Sequence, residues 1–236
     1  KCPWDRKQTM QTLRPLTIEE LYELTDAILE EDYQEVKKEL GDILLHIVFY
    51  AKIASETQSF DIEDVINAIC DKLIERHPHI YGDISVENEE QVKQNWEKIK
   101  LQKGSKGVLS GVPKSLPSLV KAYRIQEKVA GVGFDWQYKE EVWEKFKEEV
   151  AELEKEVQQN NHALAEKEMG DVFFSLVNYA RFLKINPENA LSLTNEKFIQ
   201  RFQYLESKAK EQGIEITELS LQEMNHLWEA SKQYFP

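Results

Sequence analysis

Cysteine is nearly absent: Cys2 and Cys70 are the two thiols in 236 residues. They are too few for a disulfide framework and are not spaced as a metal knuckle, so the chain reads as a protein of the reducing cytoplasm. Long hydrophobic runs are also missing. The two longest apolar stretches, around Ile43–Ala51 and Val172–Leu183, are interrupted by His46 and Arg181. Both fall far short of the roughly 20 residues a membrane span needs, which excludes a membrane protein and marks them as core helices. Basic residues are outnumbered, 30 Lys+Arg against 43 Asp+Glu, for a formal net charge of −13. Such a chain repels a phosphodiester backbone, so nucleic acid is not expected as a partner.

Glycine and proline are scarce too, at nine and seven residues. Together with long Glu/Lys/Leu/Ile stretches at helical spacing, this predicts an all-α chain with no strand run. A first helix is expected from Thr17, with Glu20 as its capping-box partner, to about Glu31. A second follows over Tyr33–Glu56 with Asp32 as its cap. A third runs from Asp61 to Arg76, where Pro78 disfavours α at His77. Clusters of proline and glycine at 77–86 and 104–117 flank a charged helix at about 87–102. Further helices are expected over 117–130, 139–159, 163–184, 187–212 and 217–232. The domains predicted are residues 1–85, a helical connector at 86–130, and residues 131–236.

The chain contains an internal duplication. At an offset of 129 residues, Glu19-Glu20-x-x-Glu23 falls on Glu148-Glu149-x-x-Glu152, and Glu39-x-Gly41-Asp42 falls on Glu168-x-Gly170-Asp171, with no insertion between the blocks. Leu24/Leu153, Lys38/Lys167, Val48/Val177, Tyr50/Tyr179 and Ala51/Ala180 coincide as well. A Lys-x-x-x-Arg pair recurs at an offset of 125, as Lys72/Arg76 and Lys197/Arg201. Two tandem helical-bundle units are the simplest reading.

Residues three and four apart share a helix face, so Glu148, Glu149 and Glu152 crowd one stripe. If the next helix packs antiparallel, Glu168 and Asp171 join them, and a cation has to offset the repulsion. An all-carboxylate set suits Mg²⁺, Mn²⁺ or Ca²⁺ rather than zinc. Magnesium held by carboxylates leaves positions for substrate phosphates, and Lys197 and Arg201 supply the positive charge that a polyphosphate needs beyond the metal. A single EExxE is usually a solvated face; its duplication with ExxD at the same separation is what makes it a site. His46 and His162 have no counterparts in the other unit and read as ordinary polar residues. Trp96, Trp136 and Trp143 read as packing anchors.

At these residues the chain resembles the MazG family of all-α nucleotide pyrophosphohydrolases, whose hallmark is EExxE, a spacer and ExxD. The resemblance extends to Cys2-Pro3-Trp4-Asp5, Arg76-His77-Pro78-His79, Val112-Pro113-Lys114-Ser115-Leu116-Pro117, Gly133-Phe134-Asp135-Trp136 and Thr194-Asn195-Glu196-Lys197-Phe198. It implies a homodimer whose bundles are completed across subunits, and hydrolysis of nucleoside triphosphates to monophosphate and pyrophosphate. It implies Mg²⁺, with Mn²⁺ as a substitute, held by Glu149, Glu152, Glu168 and Asp171, and Glu148 as an accessory acid. One of these carboxylates would activate the attacking water. Lys145 is similar to a phosphate-contacting lysine of the family, and Trp228 to a residue packing on the nucleotide; Asn195 belongs to the substrate set or to the fold.

The first unit repeats the acids as Glu19, Glu20, Glu23, Glu39 and Asp42, with Lys72 and Arg76. It has Leu16 in place of Lys145, Cys70 in place of Asn195, and no equivalent of the helix bearing Trp228. The second unit is therefore expected to carry most turnover. The competing readings are a carboxylate-bridged di-metal protein, which wants Glu-x-x-His where this chain has Asp42 and Asp171, and a non-enzymatic acidic interaction module.

Overall fold

A computed structural model describes residues 2–89, 91–92, 95–96, 99 and 107–235, and among these there is no strand. The charged helix expected at about 87–102 falls largely outside the described residues. The chain forms two compact units, Lys1–Val92 and Lys93–Pro236. The first holds helices α1 (Met10–Leu29), α2 (Tyr33–Glu56), α3 (Ile62–Arg76) and the short α4 (Pro78–Tyr81). The second holds α5 (Ser118–Ala130), α6 (Lys139–Gln158), α7 (His162–Phe182), α8 (Pro187–Glu211) and α9 (Leu221–Ser231). No helix among the described residues is long and apolar enough to cross a membrane.

In the first unit α1 begins earlier than Thr17. Thr9 is the cap: its hydroxyl accepts from the Thr12 amide while the Thr12 side chain accepts from the Thr9 amide. The helix runs through Pro15, and this brings Leu13, which is fully buried, onto the core face. The Thr17 hydroxyl, freed from capping, bonds the Leu13 carbonyl at 3.0 Å and meets the Tyr50 hydroxyl of α2 at 2.7 Å. Asp32 caps α2 through the amides of Gln34 and Glu35, and Asp61 caps α3. The α1–α2 turn passes through Glu31 at φ 57°, and the α6–α7 turn through Asn160 at φ 54°. These two left-handed residues stand 129 apart, so the duplication extends to the backbone of the hairpin.

The second unit is built on the α6–α7 hairpin. Glu149 meets Glu168 while Trp143 meets Tyr179 at 4.8 Å, so one helix descends as the other climbs. The helix Ser118–Ala130, assigned to the connector by sequence, packs on α7 and α8. It is tied there by the Gln126 amide nitrogen, which donates to the Phe174 carbonyl at 2.8 Å. Val142, Val177, Leu205 and Ala209 are buried, as are Leu13, Ala27, Ala51 and Ala54 in the first unit. Leu13 and Val142 hold the same register of the repeat. Much apolar surface stays exposed: Leu40, Leu44, Ile47 and Val48 on α2, and Phe173, Leu176, Phe198 and Ile199 on α7 and α8.

Candidate metal and phosphate site

Helical spacing puts Glu149 and Glu152 on one face of α6, and the antiparallel hairpin sets Glu168 of α7 against them. One carboxylate oxygen from each lies within 4.8 Å of the other two, and Glu20, Glu23 and Glu39 form the same arrangement in the first unit. Carboxylates this close repel strongly where water is partly excluded. Burial pushes the Glu168 carboxyl above its ordinary pKa, and the neighbouring charges of Glu152, Asp171, Glu149 and Glu156 push it further. Glu20 is raised in the same way, by burial first and then by Asp42 and Glu23, with His46 acting in the opposite direction. Asp171 and Asp42 thus stand within electrostatic reach of their clusters.

The donor set fits a divalent cation. Glu39 is 1% exposed; one of its oxygens accepts from the Lys38 amine at 3.0 Å, and the other, also buried, has no hydrogen-bond partner. A buried carboxylate oxygen without a donor is costly, and a cation held between Glu20, Glu23 and Glu39 would satisfy it. All the donors are oxygens, the chemistry of a hard ion.

The two clusters differ in their lysines. Lys145, one turn before Glu149 on α6, reaches Glu149 at 2.8 Å and Glu148 at 2.9 Å. Hydrogen bonds to these two acids hold its amine well above the ordinary lysine range. In the first unit Leu16 occupies that register. The lysine there comes from the other helix: Lys38 on α2 bonds Glu35 at 2.6 Å and Glu39 at 3.0 Å.

Not every residue singled out by sequence joins a cluster. Glu148 is engaged by Lys145 and exposed, Glu19 is exposed, and neither belongs to a three-carboxylate group. Arg201, within α8, reaches the far end of its unit: its Nε and Nη2 donate to the Phe235 carbonyl at 3.0 and 2.9 Å. Its guanidinium lies 5.6 Å from the ring centre of Trp228, and that ring packs on Phe198 at 5.0 Å. Lys197 is half-buried and Asn195 exposed on α8, while Lys72 is exposed and Arg76 half-buried on α3.

Three residues beside the second cluster escaped the sequence reading. Glu156 continues the ladder of Glu149 and Glu152 by one more turn, and one of its oxygens is buried without a partner. Its i, i+4 spacing from Glu152 was the available signal. Trp136, read as a packing anchor, is 45% exposed and forms a wall of a cleft of about 170 Å³ that also involves Lys145, Glu149, Asp171, Phe174 and Asn178. Asn178 follows Asp171 by two turns on α7, which places both on one face. In the first unit His46 is 6% exposed, with its Nδ1 unpartnered.

Comparison with known proteins identifies the family. The MazG nucleotide pyrophosphohydrolase domain matches twice, at residues 8–81 and 137–205. The chain is 43% identical over 238 residues to the nucleoside triphosphate pyrophosphohydrolase of Escherichia coli K12, covering 98% of this chain and 90% of that protein. It is 44% identical over 234 residues to the nucleoside triphosphate pyrophosphohydrolase/pyrophosphatase MazG of Thermotoga maritima, covering 98% and 89%. With a carboxylate hairpin in each half and both halves matched, the chain belongs to the MazG nucleotide pyrophosphohydrolase family.

Proposed function

We propose that this protein hydrolyses nucleoside triphosphates, ribo or deoxy, to the monophosphate and pyrophosphate, with Mg²⁺ held by Glu149, Glu152, Glu168 and Asp171. The observation that carries the reading is the convergence of three carboxylates within 4.8 Å beside a lysine 2.8 Å from one of them. Acids for a cation and a fixed ammonium for phosphate are what a triphosphate in its metal complex requires. When bound, Mg²⁺ supplies a Lewis acid that offsets charge on the phosphoryl oxygens.

The chain's own groups do the rest. A carboxylate among Glu148, Glu149 and Glu152 orients a water and takes its proton as the oxygen attacks the α-phosphorus. The new P–O bond forms as the α–β bridging bond breaks, and the leaving pyrophosphate departs with the electron pair of that bond. In this reading Lys145 neutralises the α-phosphate, and Lys197 and Arg201 the leaving group. For Arg201 this means exchanging the Phe235 carbonyl for phosphate oxygens, and Trp228 beneath it offers a face to the nucleotide.

The second unit is the principal site and the first a weaker one, since the first has Leu16 at the register of Lys145 and, among the described residues, no counterpart to α9. A homodimer completes the bundles: the exposed Leu40, Leu44, Phe173 and Leu176 line hairpin faces that another helix pair would cover. Both cysteines are free and exposed, which suits the cytoplasm, where nucleotides are found.

The decisive experiment incubates the full chain with Mg²⁺ and each of the eight common NTPs and dNTPs and separates the products by chromatography. Monophosphate and pyrophosphate in equal amounts are expected. No turnover on any nucleotide, or release of orthophosphate with a diphosphate, overturns the proposal.

A further inference from the structure

The cleft beside the second cluster contains a side-chain amide whose orientation is fixed by its neighbours. Asn178 Oδ1 accepts from Arg181 Nε at 3.0 Å and from Arg181 Nη2 at 2.9 Å. Arg181 is held in turn by Asp135, to which Nη1 donates at 2.9 Å and Nη2 donates through a second, short bond. Its side chain is only 14% exposed. A guanidinium carries donors alone, so the amide must turn its oxygen towards Arg181, and two N–H groups on one oxygen occupy both lone pairs. All that Asn178 can still offer is the pair of N–H groups on Nδ2, for which no partner occurs among the described residues.

The same arginine–aspartate pair steadies the aromatic wall. Asp135 Oδ1 also accepts from the backbone amide of Trp136 at 2.9 Å, so one carboxylate ties the loop bearing Trp136 to the helix bearing Asn178. Both residues line the cleft, together with Lys145, Glu149 and Asp171. Asn178 lies seven residues beyond Asp171 on α7, about 10 Å along the helix axis. That is comparable with the span from an α-phosphate to the far edge of a nucleobase. A flat heterocycle against Trp136, with its phosphates at the carboxylates, would direct the exocyclic group at purine C6 or pyrimidine C4 towards Asn178.

We propose that the Asp135–Arg181 pair sets Asn178 as a donor-only reader of the nucleobase edge, so that the second unit favours bases with an oxo group at that position over bases with an amino group. This deepens the proposed function and rests on it. An oxo group accepts the Nδ2 hydrogen, whereas an amino group sets donor against donor and leaves both unsatisfied. Asn178 is the specificity-determining residue; Arg181 and Asp135 are positioning residues. The first unit lacks the device: Phe49 stands at the register of Asn178 and Lys52 at that of Arg181.

The test compares substrates that differ at this edge. With the full chain and Mg²⁺, kcat/KM is measured for inosine against adenosine triphosphate and for uridine against cytidine triphosphate. Binding of the same pairs is measured by calorimetry with Ca²⁺, which requires no turnover. The oxo member of each pair is expected to be favoured by about fivefold or more in both measurements. Asn178→Asp, which keeps the bond to Arg181 and presents an acceptor, is expected to reverse the preference, and Arg181→Ala, which frees the amide to flip, to bring the ratio near one. Each ratio is taken within one preparation, so partial unfolding does not move it. A smaller wild-type ratio overturns the base-edge proposal, as does an Asn178→Asp ratio equal to wild type. An unchanged ratio in Arg181→Ala overturns the positioning role. Absence of turnover with every nucleotide overturns the proposed function instead, and the calorimetric ratio then decides the base-edge proposal by itself.

Discussion

The Lys145 amine stands 2.8 Å from Glu149 and 2.9 Å from Glu148, on the same helix as both. It is therefore both a neutraliser of the cluster and a competitor for a carboxylate that a cation would use. Lys145→Ala is expected to act in two directions. Cation affinity, followed by calorimetry with Mg²⁺ or Mn²⁺, should rise, because Glu149 loses a competing partner. Nucleotide kcat/KM should fall by about 10- to 100-fold, the loss of one charged hydrogen bond to phosphate. A variant with both quantities lowered would place Lys145 among supports of the fold.

The inequality of the two units is tested at matched positions. Glu152→Ala and Glu23→Ala remove the same member of the repeat, and each leaves two acids of its three. We expect kcat to drop by more than about 100-fold in the first variant and by less than about threefold in the second. Equal losses would show two working sites.

Protonation of Glu168 provides a pH test. Its folded-state pKa is raised by burial and by the neighbouring acids, so its ionised form is destabilising at neutral pH, and this penalty fades as pH falls through the raised pKa and the proton returns. In the absence of divalent cations, Glu168→Gln should melt at a higher temperature than wild type at pH 8. The difference should shrink steadily towards pH 5. Scanning calorimetry of both proteins across that range measures it, and a difference independent of pH would count against the electrostatic cause.

Arg201 joins α8 to the C-terminal end of the chain through the Phe235 carbonyl and the Trp228 ring. Arg201→Lys keeps the charge but loses the planar fork. Amide hydrogen exchange over residues 221–235 should accelerate in this variant, and KM for nucleotide should rise. Unchanged exchange would mean that α9 is held by Phe198 and its other contacts alone.

Much of this architecture was legible in the sequence because the duplication supplies its own control. α2 and the end of α3 fall where the periodicity and the caps at Asp32 and Asp61 put them, and three acids converge on each hairpin while Glu19 and Glu148 stay outside. The start of α1 was misplaced because Thr17-x-x-Glu20 is a good local capping signal, whereas burial of Leu13 and the Thr9–Thr12 box decide the matter at longer range. The cleft was illegible for a different reason. Trp136 lies on a loop and Asn178 and Arg181 on a helix, and the ion pair between Asp135 and Arg181, 46 residues apart, ties the one to the other.

Gly41 and Gly170 sit mid-helix between the paired acids of each unit, and a Cβ built at either meets nothing within 4 Å. Nothing among the described residues requires a bare backbone there, yet a helical glycine gives up about 1 kcal/mol relative to alanine. Each unit carries that weakness at the same register. Gly170→Ala should therefore raise the melting temperature while leaving the fold intact, and any accompanying loss of turnover would measure how closely a substrate or a second subunit approaches the helix. Were turnover lost, thermal robustness and access would oppose each other on the carboxylate face, and the protein would be easiest to stabilise where stabilising it harms activity most.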